Sequence, residues 1–94
     1  MDREEEILSV FKDIARTTSQ QMMDDIAVIT ATNGERPSFE KLMQKLKLLD
    51  KELTEKGVQL LEQQKAETGT LSEPLTNAIK AEINATIEAF IKKL

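Results

Sequence analysis

The amino-acid sequence predicts an all-α protein, a long antiparallel helical hairpin with a shorter third helix packed along part of it. Three observations lead there. Apolar residues recur at steps of three and four through three long segments, and nowhere alternate as a half-buried strand requires. The first segment opens on acids, and the second and third open on serines suited to capping a helix. The two breaks between segments hold Asn33-Gly34 with Pro37, and Gly69, residues that end helices. At 94 residues and 39% apolar composition, the chain is one small domain, residues 1–94, with enough apolar mass for a core.

The first segment is expected over about 2–32. Asp2, Glu4, Glu5 and Glu6 sit where the positive end of a helix dipole favours acids. Ile7, Phe11, Ile14, Thr18, Met22, Ile26 and Ile29 form one stripe. Thr17-Thr18-Ser19-Gln20-Gln21 is a polar run of weak helix formers, so a broken first helix, giving four helices in all, is the alternative arrangement.

The second helix is expected from Ser38, its N-cap, to about residue 67. Phe39, Leu46, Leu53 and Leu60 recur every seven residues, with Leu42 and Leu49 in the complementary heptad position; Lys56 and Gln63 then end that coiled-coil register. Gly57 falls on the apolar face, where it either admits a close neighbour or weakens the helix. Ser72, Glu73 and Pro74 start the third helix, expected over 73–93, and Lys92 and Lys93 suit its C-terminus. Leu75, Ile79, Ile83, Ile87, Phe90, Ile91 and Leu94 make its main stripe, while Ala78, Ala81, Ala85 and Ala89 widen the apolar surface beside it. At ~1.5 Å per residue the helices are roughly 45, 43 and 31 Å long. The third is too short to cover the hairpin, so completion by oligomerisation is expected.

Composition excludes several kinds of chemistry. There is no Cys and no His, which removes disulfide frameworks, thiolate or imidazole metal sites and His-based triads. Gly34, Gly57 and Gly69 form no phosphate-binding loop. Asp24 and Asp25 are adjacent, so on a helix they diverge by ~100° and build no cage for Mg²⁺. Asn84-Ala85-Thr86 matches a glycosylation sequon but lies in mid-helix. Met1-Asp2-Arg3-Glu4 is no signal peptide and no apolar run reaches ~20 residues, so a cytoplasmic protein without membrane spans is expected. Neither enzymatic activity nor a cofactor is expected.

The net charge of −4 is unevenly spread. Residues 1–35 hold eight acids against three bases, 36–70 seven bases against six acids, and 71–94 three of each. Lys41, Lys45, Lys47 and Lys51 make the second helix basic at its start, with Lys51–Glu55 and Glu52–Lys56 as ordinary i,i+4 pairs. Asp50 and Glu82 interrupt apolar faces and read as rim residues reaching water.

The function these features imply is binding of other protein chains, as adaptor, chaperone, inhibitor or assembly subunit, with a second copy or another protein as partner. Candidate interface residues are Leu48 and Val58, which stand off the core face, together with Ala78, Ala85, Ile87, Ala89, Ile91 and Leu94 on the wide third helix. Two alternatives belong to other classes. One is a regulator acting on nucleic acid through the Lys41–Lys51 face. The other is a small-ligand binder with pockets between protomers.

Overall fold

The computed structural model describes residues 2–94 and holds three helices: α1 (Arg3–Asn33), α2 (Phe39–Thr68) and α3 (Glu73–Lys93). Their starts follow from local chemistry. The side chains of Asp2, Ser38 and Ser72 accept from the backbone N–H groups of Glu4, Lys41 and Leu75, satisfying donors that the first turn leaves free. Gly34 and Gly69 end α1 and α2 at φ 77° and 84°, a left-handed backbone that a Cβ disfavours. The polar run 17–21 does not break α1, which passes through it as regular helix. Buried Ala15 and Met22 flank the run on the core face and hold it in place.

Each helix packs against both others, forming a three-helix bundle of 52 × 23 × 19 Å. Its core is Ile7, Phe11, Ala15, Met22 and Ile26 of α1, Leu49 and Leu53 of α2, and Leu75, Ile79 and Phe90 of α3. Phe11, Phe90, Leu49 and Leu53 have essentially no solvent exposure. Gly57 admits a close neighbour: a Cβ built there would stand 2.9 Å from Ile79 Cγ2 and 3.6 Å from Phe11 Cε1.

The two ends of the bundle differ. At the end where α1 starts, α2 finishes and α3 begins, polar contacts tie the helices together. Arg3 donates from Nη2 and Nε to the Glu67 carboxylate at 2.7 and 2.9 Å, and the Ser72 hydroxyl donates to Glu4. Buried Gln64 organises the α2–α3 turn by donating to Thr68 Oγ1 and the Thr70 carbonyl and accepting from Ser72 N–H. α3 therefore starts level with the end of the hairpin. At nine to ten residues fewer than α2 and α1, it is ~14 Å shorter than either arm of the hairpin. Arg36 in the connection between α1 and α2 donates to the Leu94 carbonyl, capping the negative end of α3. No described helix is long and apolar enough to cross a membrane.

Candidate functional site

The uncovered hairpin tip is the part of the molecule whose surface departs most from its sequence pattern. Phe39 sits on the heptad stripe that buries Leu53, yet it is 78% exposed. Its expected core position is corrected: Phe39 is the first residue of α2, outside the core, whose buried α2 members are Leu49 and Leu53. Val28 of α1 and Ile91 of α3 are also exposed, at 63% and 49%. Ile91 likewise departs from the main α3 stripe, because the neighbouring turn is filled by Phe90, Ile87 and Leu94.

Beside the tip, a groove of about 380 Å³ runs between α1 and α2. Ile26, Ile29, Pro37 and Leu48 give it apolar walls, and Lys41 and Lys45 line it as well. Lys45 Nζ lies 3.7 Å from Asp25 Oδ2, a partly exposed pair of small net energy. A second groove of about 270 Å³ lies between α1 and α3. Lys12, Arg16, Ser19, Gln20 and Lys93 surround Ala85 and Ala89 there. These two alanines are therefore exposed next to an open polar groove and add nothing to the core.

The remaining expected interface residues divide into two sets. Leu48 and Val58 are exposed at 41% and 47% on α2. Ala78, Ile87 and Leu94 are partly buried, with Ile87 and Leu94 packed against the core. Asp50 is exposed and accepts from the Thr54 hydroxyl, while Glu82 is half-buried. Asp24 accepts from Gln20 and Asp25 faces Lys45; no group of three or more potential metal ligands converges among the described residues.

The four lysines do not form one track. Lys41 and Lys45 are one turn apart and line the α1–α2 groove, whereas Lys47 and Lys51, also one turn apart, do not line it. The expected pairs Lys51–Glu55 and Glu52–Lys56 are not made. Among the described residues the ion pairs are Arg3–Glu6, Arg3–Glu67, Arg16–Asp13 and Lys45–Asp25. The Arg3 guanidinium hydrogen-bonds the Glu67 carboxylate and holds its pKa below the ordinary glutamate value.

Sequence reasoning missed Ala15 and Gln64. Ala15 carries no signal beyond its helical spacing. Gln64 lies one turn before Thr68 and the Gly69-Thr70 turn, where a long amide can reach several backbone groups, and that proximity was the available clue. Fold and surface together define a small helical bundle with an uncovered hairpin tip. No protein-family model matches the chain, and no curated protein or solved structure shows detectable similarity to it.

Proposed function

We propose that this chain is a non-enzymatic helical protein that acts by binding another protein chain through the hairpin tip, as an adaptor, chaperone, inhibitor or assembly subunit. One observation carries the reading. Phe39, whose heptad equivalent Leu53 is wholly buried, is 78% exposed at the start of α2. An aromatic side chain of this size contributes strongly to an interface core when desolvated, and Val28 of α1 and Ile91 of α3 are exposed as well.

The test compares the wild-type chain with Phe39→Asp, Ile91→Asp and the pair Lys45→Glu with Lys47→Glu as baits in the native host, after circular dichroism has shown all to be helical. A partner held by wild type, released by Phe39→Asp or Ile91→Asp and kept by the lysine pair supports the reading, because solvated charges contribute little at physiological salt. If the lysine pair abolished association while both apolar positions proved dispensable, electrostatic recognition would replace it.

A further inference from the structure

The outer face of α2, opposite its core side, carries a pattern that the tip does not explain. Lys41, Gln44, Leu48, Lys51, Glu55, Val58 and Glu62 follow one another at alternating steps of three and four, and every one is exposed. That spacing is a heptad seam, the arrangement by which one helix packs along another. Its charge is ordered along the helix: both lysines lie in the first half and both glutamates in the second. Each half also holds one aliphatic residue, Leu48 or Val58, left 41% and 47% exposed. None of these four charged groups makes an ion pair among the described residues.

The centre of this pattern, Lys51 and Glu55 between Leu48 and Val58, reverses its charge about its own midpoint and so complements itself when turned end for end, although Lys65 follows Glu62 at the same spacing. We infer that two copies of this chain pair through the outer faces of α2, antiparallel and related by a two-fold axis. Leu48 then lies opposite Val58 of the second copy, Lys51 opposite its Glu55 and Gln44 opposite its Glu62. By symmetry each contact occurs twice. Lys41 and Lys65 meet at the two ends of the seam, where both reach water and Glu62 stands one turn from Lys65 on the same helix. In-register parallel pairing would instead set Lys51 on Lys51 and Glu55 on Glu55 at the centre of the seam. Leu48 borders the α1–α2 groove, which gives the incoming Val58 a hollow to enter. With two aliphatic layers and a seam under the ~800 Å² per partner of a standard interface, the dimer belongs in the micromolar-to-millimolar range. The seam is centred between Lys51 and Glu55 and only its Lys41 end borders the groove beside the tip, so Glu55→Lys and Phe39→Asp tell the two readings apart.

The experiment is light scattering and sedimentation of the full chain from micromolar to millimolar concentration. The mass should rise from the 10.6 kDa of a monomer towards twice that value. Glu55→Lys alone, which sets lysine against Lys51 of the other copy, should raise the dissociation constant at least about fivefold. Lys51→Glu combined with Glu55→Lys should restore it. Orientation is read by disulfide trapping, for which the absence of native cysteine is convenient. An equimolar mixture of Leu48→Cys and Val58→Cys chains should cross-link to each other, whereas Leu48→Cys alone should not, its two sites lying ~15 Å apart along the seam. A mass fixed at the monomer value throughout would overturn the inference. So would a dimer that cross-links through Leu48→Cys alone, or one abolished by Phe39→Asp and indifferent to Glu55→Lys.

Discussion

Replacing Gly57 with Ala sets two opposing energies against each other at one position. In an exposed helix the change would stabilise by about 1 kcal/mol, because Gly is the poorest ordinary helix former. Here the new methyl would stand 2.9 Å from Ile79 Cγ2, well inside the ~3.5–4.0 Å of a normal carbon contact. That atom cannot swing aside, since Cγ2 is attached directly to the β-carbon of a β-branched residue with a stiff χ1. Nor is there space behind it: Ile79 is 2% exposed and Phe11, the next neighbour at 3.6 Å, is fully buried. Overpacking of this kind costs about 1–3 kcal/mol, so the net change should be a loss of about 1 kcal/mol. In a domain of this size that lowers Tm by roughly 4–8 °C. Urea denaturation gives the free energy, and combination with Ile79→Leu, which removes the offending branch, should recover most of the loss beyond the cost of Ile79→Leu alone. A Gly57→Ala chain as stable as wild type, or more stable, would refute the tight three-helix contact at this level of the bundle.

Further expectations concern other layers. Leu53→Ala should cost about 2–5 kcal/mol, because the side chain is wholly buried, whereas Leu48→Ala on the outer face should change stability by under ~0.5 kcal/mol in dilute solution; equal losses in urea titrations would contradict the face assignment. Gln64→Leu should cost about 1–3 kcal/mol by leaving Ser72 N–H and the Thr70 carbonyl without their partner, and faster amide exchange at Ser72 is the specific readout. Phe39→Asp should leave thermal stability within the range of ordinary surface changes, since the ring is mostly solvated. The Arg3–Glu67 contact predicts a pH dependence. Glu67 titrates lower when folded, so its contribution is present above the ordinary glutamate range and lost as pH falls through the lowered value. Wild type and Glu67→Gln should therefore differ at neutral pH and converge in acid unfolding curves.

The sequence by itself determined the local structure. Opening acids from Asp2, caps at Ser38 and Ser72, stops at Gly34 and Gly69, and three-to-four spacing of apolar residues place all three helices to within a residue or so. Such features act over four residues or fewer, so they can be read without knowing what the helix touches. Only the tertiary structure decided which part of each stripe is covered. Phe11, Phe39 and Phe90 lie on equally good apolar stripes, yet two are wholly buried and one is 78% exposed. Which layer each residue joins depends on where α3 starts along the hairpin. Its start is held by Ser72 on Glu4 and by Gln64 in the turn, contacts between residues 68 and eight positions apart. The same holds for Gly57, whose helix-weakening chemistry is local but whose value, a gap for Ile79, exists only where two helices cross. Burial is a property of the assembled bundle, and periodicity reports only which face a residue occupies.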